Sequence, residues 1–154
     1  MPYLLGEYEC LLDSKSRILM PVALKRQIPP EAQDKFIICR GFERCLTVFP
    51  LNVWNKLTEN LNNLNFFEPD DRNFVRSFQR GAIEIQLDSA SRLLMPRQLL
   101  AYAGIEKDIV LFAYADRFEI WDKERYNNLF TDEPPEAFSE RAKKVMGNKD
   151  KQQQ

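Results

Sequence analysis

Leu12-Asp13-Ser14-Lys15-Ser16-Arg17-Ile18-Leu19-Met20-Pro21 stands near the start of the chain, and Leu87-Asp88-Ser89-Ala90-Ser91-Arg92-Leu93-Leu94-Met95-Pro96 stands 75 residues further on. The copies differ only where Ala90 replaces Lys15 and Leu93 replaces Ile18. Such agreement in a chain of 154 residues marks a duplication. The period exceeds that of the common solenoids and there are two copies, so the reading is a duplicated domain and not an array.

Working outward, Tyr8, Cys10 and Leu12 alternate with Glu9, Leu11 and Asp13. In the second copy Ile83, Ile85 and Leu87 alternate with Glu84, Gln86 and Asp88. A period of two is that of a half-buried strand. The three residues between Asp and Arg, followed by Ile18-Leu19-Met20 or Leu93-Leu94-Met95, read as strand, tight turn, strand. Aspartate at a turn entrance accepts hydrogen bonds from backbone N–H groups two residues on. Pro21 and Pro96 suit the first position of a short helix. After Pro96, Leu99, Leu100 and Ala103 fall at helical spacing and Gly104 is a left-handed stop. Val22 to Ile28 is the counterpart, ended by Pro29-Pro30.

Two more strands follow in each copy: Phe36 to Arg40 and Leu46 to Phe49, then Ile109 to Ala113 and Phe118 to Trp121. The offset is here 72, so the connection has lost three residues, as loops tolerate. Trp54, Leu57, Leu61 and Leu64 form one apolar helical stripe. Tyr126 and Leu129 take the places of Trp54 and Leu57, with Asp122 a suitable N-cap. The first copy adds a helix near Pro69 that the second lacks. Phe74 and Phe78 make one face of it, and Arg72, Arg76 and Arg80 another. That arginine row reads first as a solvated face, with phosphate binding as the lesser alternative. Pro134-Pro135 breaks the chain, Glu136 to Met146 is helical, and residues 147–154 are expected to be disordered.

The fold class expected is α+β, mainly β, with a first repeat at 1–80, including two following helices, and a second at 81–146. Each repeat alone is marginal for a core, so the halves should share one. The net charge is −1 and the pI about 5.6, so any polyanion must be held by a local patch. Cys10, Cys39 and Cys45 form no C-x-x-C pair, and histidine is absent. Free thiols, no metal site and no cofactor are the reading. The apolar runs are too short to span a bilayer and the first residues do not read as a signal peptide, so a cytoplasmic location is expected.

Two copies of strand, Asp-x-x-x-Arg turn, strand, short helix and two strands, each closing with a helix, resemble the MraZ family of bacterial transcriptional regulators. Tyr102-Ala103-Gly104-Ile105-Glu106-Lys107 and Asp116-Arg117-Phe118-Glu119-Ile120-Trp121 look like the family's second half. The resemblance runs from about Leu4 to about Arg141. It implies an AbrB-like swapped-hairpin barrel, with two repeats supplying what two chains usually supply. It also implies a ring-shaped homo-oligomer on the nucleoid. The implied activity is binding to short, regularly spaced repeats of double-stranded DNA ahead of the operon for cell division and cell-wall synthesis. The family usually carries Gly before the turn arginine, where this chain has Ser16 and Ser91.

The turn residues suit contact with DNA. Arg17 and Arg92 can grip phosphate or guanine with two parallel bonds, Lys15 supplies a point charge, and Ser14, Ser16 and Ser89 supply short neutral donors. Asp13 and Asp88 are assigned to the turns themselves. Since Ala90 stands for Lys15, the first repeat is expected to make most of the contact. Lys25 and Arg26 are lower-grade candidates. The alternative gives the arginines to Asp13–Arg17 and Asp88–Arg92 ion pairs stapling one hairpin to the other. The chain would then be a ring-forming structural or interaction protein. An enzyme is the weakest reading: no nucleophile stands with a visible base, and there is no glycine-rich phosphate loop and no small-molecule substrate to infer.

Overall fold

The computed structural model describes residues 3–130 and 133–152, with side chains through Gly147. It divides into two units, Met1–Lys123 and Glu124–Gln154. In chain order the first unit holds β1 (Gly6–Leu11), β2 (Arg17–Leu19), α1 (Val22–Lys25), a 3-10 turn (Pro30–Ala32), β3 (Lys35–Arg40) and β4 (Leu46–Pro50). Then come α2 (Leu51–Leu61), α3 (Pro69–Gln79), β5 (Ile83–Gln86), β6 (Arg92–Leu94), α4 (Arg97–Ala103), β7 (Asp108–Tyr114) and β8 (Arg117–Asp122). This is an α+β fold, mainly antiparallel β, built from two repeats.

The repeats exchange strands. A six-stranded sheet runs β1-β7-β8-β4-β3-β5, and β2 pairs with β6 in a two-stranded ribbon. The first strand of each repeat lies on the third strand of the other: β1 on β7, and β5 on β3. The second strands pair with each other, as do the fourth, β4 with β8. This pattern is unchanged when the repeats are swapped, which is the signature of a pseudo-twofold. The strand, tight turn and strand of the sequence reading are present as β1, the turn and β2. The Asp-x-x-x-Arg segment is a tight turn, but beyond a single Leu12↔Ile18 bridge its arms part company and find partners in the other repeat.

Alternation decides which faces meet. Along β1 every second residue is half-buried, as its period-two pattern predicts. On the ribbon, Ile18 and Leu93 are 1% and 2% exposed and point inward, whereas Leu19 and Leu94 are about 60% exposed. Ile18, Met20 and Leu24 of the first repeat join Leu93, Met95 and Leu99 of the second in one core, with Phe36 edge-on to Phe118 at 6.0 Å. The halves therefore share a core, and cutting a fully buried Leu here to Ala costs about 2–5 kcal/mol. Ile83 departs from its pattern: β5 is an edge strand, and Ile83 is 48% exposed.

The helices follow their signals with shifts. α4 ends on Gly104 at φ 67, the left-handed stop. α1 is one turn long, although turn-type bonds continue to Ile28. In α2 the most buried residue is Val53, one before the Trp54 stripe; it joins Cys39 and Phe49 in a second small cluster. α3 lays Phe78 flat on Trp54 at 5.8 Å and Phe74 on Phe78 at 5.9 Å. Arg72 donates to the carbonyl of Phe66 and Arg76 to Oδ1 of Asn73.

The second unit begins within α5 (Lys123–Asn127), and Tyr126 there is edge-on to Phe130 at 5.1 Å. α6 (Pro135–Gln152) carries an Arg141–Glu133 ion pair of 2.7 Å. It runs through Gly147 into the stretch where the sequence reading expects disorder; Gln153 and Gln154 lie outside the described residues.

Candidate nucleic-acid interface

The two turns are built alike, atom for atom. Oδ1 of Asp13 accepts the backbone N–H groups of Lys15 and Arg17, each at 2.9 Å. Oδ2 accepts Nε–H of Arg17 at 2.8 Å. The Asp13 carbonyl accepts N–H of Ser16 at 3.0 Å. In the second copy Asp88 does the same for Ala90, Arg92 and Ser91, at the same distances. A short acceptor side chain can serve N–H groups two and four residues on only if the chain doubles back at once. That reversal puts Ser16 at φ 62 and Ser91 at φ 61, in the left-handed region. Serine tolerates that region at some cost in energy, and glycine occupies it freely.

Each carboxylate is thereby held below the usual carboxylate range. The largest cause is the backbone N–H four residues on, that of Arg17 for Asp13 and of Arg92 for Asp88. The ion pairs are internal to each turn, spaced i,i+4. They do not staple one turn to the other, which corrects that part of the structural alternative. The turns are braced across the pseudo-twofold by backbone instead: Met95 N–H donates to the Ser16 carbonyl at 2.8 Å, and Met20 N–H to the Ser91 carbonyl at 2.9 Å.

Register fixes where the arginines point. Arg17 stands opposite Leu94, and Arg92 opposite Leu19. Residues opposite each other share a face, so Arg17, Leu19, Arg92 and Leu94 all lie on the outer face of the ribbon. The two guanidinium side chains are 25% and 35% exposed, and only Nε of each is bound to its aspartate. Among the described residues the terminal nitrogens have no partner and can donate to an anionic one. Ser14, Lys15 and Ser89 are exposed at the turn ends; Ser16 is half-buried.

One residue matters more than its sequence signal suggested. Nζ of Lys25, on α1 of the first repeat, donates to Oγ of Ser91 in the second turn at 2.7 Å. The second turn lacks a lysine of its own, and Lys25 crosses the pseudo-twofold to stand there. The signal was visible: at the repeat offset Lys25 faces Leu100, which is buried. Arg26 is exposed beside it.

The three cysteines are free. Burial pushes the thiols of Cys39 and Cys45 up to about 12, and that of Cys10 upward. Among the described residues no three potential ligands cluster in a way that would hold a metal, and no helix is long and apolar enough to cross a membrane.

Comparison with known proteins covers nearly the whole chain. The family model described as "MraZ protein, putative antitoxin-like" matches twice, at residues 3–77 and 78–148. A protein of Christiangramia forsetii named transcriptional regulator MraZ is 42% identical over 148 residues, 96% of this chain and 95% of its own length. A protein of the same name from Flavobacterium psychrophilum is 38% identical over 96% of this chain and 94% of its own. Another, from Clostridium beijerinckii, is 42% identical over 80% of this chain and 84% of its own.

Proposed function

The chain belongs to the MraZ family, and from that premise we propose that it regulates transcription by binding DNA through its two Asp-x-x-x-Arg turns. The repeats at 1–80 and 81–146 each contribute one turn. The observation that carries the reading is the outer face of the ribbon, where Arg17 and Arg92 are oriented by aspartate yet keep their terminal nitrogens. Lys15 stands at the first turn and Lys25 at the second. Ser14, Ser16 and Ser89 add short neutral groups. Aspartate fixes the arginine geometry, the terminal nitrogens take phosphate or a guanine edge, and the lysines supply charge to the backbone.

Both turns then contact DNA, the first through its own lysine and the second through a borrowed one. A chain of net charge −1 holds few phosphates, so a single copy binds weakly and loses affinity steeply with salt. Several copies in a ring on the nucleoid, meeting short repeats ahead of a cell-division and cell-wall operon, raise the effective concentration of every later contact. Exposed Leu11, Leu19 and Val22 around a groove at the β1 edge support assembly, since monomers seldom leave apolar groups clustered in solvent.

The same exposed leucines favour the second reading, in which the ribbon face is an assembly surface and the ring itself is the product. Lys15→Glu separates the two. Under the DNA reading it abolishes a gel shift and leaves oligomer mass unchanged. If mass falls and the residual oligomer still shifts DNA, the assembly reading stands. A titration on one, two and three spaced sites is the companion test: affinity should climb with site number, and equal affinity for one and three would contradict the avidity argument.

A further inference from the structure

We propose that the chain carries a binding pocket for a small aromatic anion, formed where α3 of the first repeat and α4 of the second meet the β3–β4 loop. The pocket has a volume of about 450 Å³, within the usual range of small-molecule sites.

The walls are aromatic. Phe78 forms the back, stacked on Phe74 at 5.9 Å, with Phe42 inclined to it at 6.4 Å. Phe42 is 84% exposed and Phe74 is 48% exposed, so both present open ring faces to whatever enters. Tyr102 closes the other side and fixes the loop, its hydroxyl donating to the Glu43 carbonyl at 3.2 Å and reaching the Gly41 carbonyl at 3.4 Å.

The charge is positive. Arg40 and Arg80 line the cavity, with no carboxylate in its wall. The guanidiniums of Arg40 and Arg44 both sit over the Tyr102 ring, at 4.5 and 4.8 Å. Two like charges on one ring are unfavourable unless an anion lies near them. Neither arginine, nor Arg80, forms an ion pair among the described residues. Nε of Arg40 is buried and has no hydrogen-bond partner. A carboxylate or phosphate oxygen beside Arg40 and Arg80 would balance this uncompensated positive charge. Ser77, also in the wall, offers a hydroxyl to the same group. Stacked rings select a planar body, and the guanidiniums select a compact anion attached to it.

Calorimetric titration of the full chain tests this with three ring-bearing anions: benzoate, phenyl phosphate and adenosine monophosphate. Inorganic phosphate and adenosine serve as the half-ligands. The expected result is one saturable site per chain for at least one of the three, with both half-ligands at least tenfold weaker. Benzoate against phenyl phosphate then tells carboxylate from phosphate. Arg80→Glu, at an exposed position, should weaken binding about tenfold or more with an unchanged melting temperature, because a charge-assisted bond is lost. Phe42→Ala should weaken it too, and Lys15→Glu should not. No saturable binding tighter than about 1 mM would overturn the proposal, as would binding that survives Arg80→Glu or adenosine binding as tightly as its monophosphate.

Discussion

Arg17 and Arg92 are diagonal neighbours on the outer face of one two-stranded ribbon, each with its Nε 2.8 Å from the aspartate four residues before it. Diagonal positions on antiparallel strands lie about 7–8 Å apart, so the two arginines spring from neighbouring points of one face. The aspartates decide how that face behaves.

Asp13→Asn isolates the role of the ion pair. Asparagine Oδ1 can still accept the N–H groups of Lys15 and Arg17, but its Nδ2 faces Arg17 Nε donor to donor. The turn persists and Arg17 loses its orientation. We expect DNA affinity to fall severalfold for Asp13→Asn, and further for the Asp13→Asn/Asp88→Asn double variant, with little change in the far-ultraviolet circular dichroism. Unchanged affinity would mean that neither guanidinium has to be held in place.

The same carboxylates set an acid limit. Their folded-state values lie below the ordinary range, so their contribution is complete at neutral pH and is lost as pH falls through those lowered values. Melting temperature should therefore show no loss from these turns between pH 7 and about pH 5, with the loss beginning below about pH 4. In Asp13→Ala/Asp88→Ala that acid-side component should be absent. A component of equal size in the variant would assign the acid limit to other groups.

Ser16→Gly should stabilise the chain. Serine at φ 62 carries a left-handed penalty that glycine lacks, about 1 kcal/mol, partly offset by the greater freedom of glycine in the unfolded chain. A rise of roughly 1–3 °C in melting temperature is expected. Ser91→Gly should gain less, since it also removes the hydroxyl that receives Lys25. Ser16→Val should lower stability, a branched side chain being least tolerant of positive φ.

Thiol titration gives a check on packing. With thiols raised to about 12 by burial, Cys39 and Cys45 should resist an aromatic disulfide reagent at pH 8 until the chain unfolds, and Cys10 should react slowly. Rapid reaction of Cys39 or Cys45 in the native protein would show that β3 and β4 open readily.

What could be read beforehand divides along range. The duplication, the in–out alternation of β1 and the stop at Gly104 are local patterns, repeated within a few residues. The aspartate turn is local too, and its hydrogen bonds follow from side-chain reach. The partner of β2 was not readable, because a strand of three residues carries no register signal and its mate lies 75 residues away. The Lys25–Ser91 bond spans 66 residues and shows in sequence only as a mismatch between the copies. In α2 the stripe residues Trp54 and Leu57 pack against the cluster of Cys39 and Phe49, and Val53, outside the stripe, is enclosed in it. That cluster is assembled from one face of a strand pair and the helix after it.

The exchange of strands has a consequence for synthesis. Gly6 pairs with Ala113 and Leu11 with Asp108, so β1 waits for roughly 100 residues to be added before its mate exists. At about 5–20 residues per second, that interval is on the order of 5–20 s. While it lasts, the nascent amino-terminal strand has no complement in its own polypeptide. Translation speed therefore sets the delay, and a slow stretch of codons placed before β7 would lengthen the period in which Tyr8 and Cys10 stand uncovered at the ribosome.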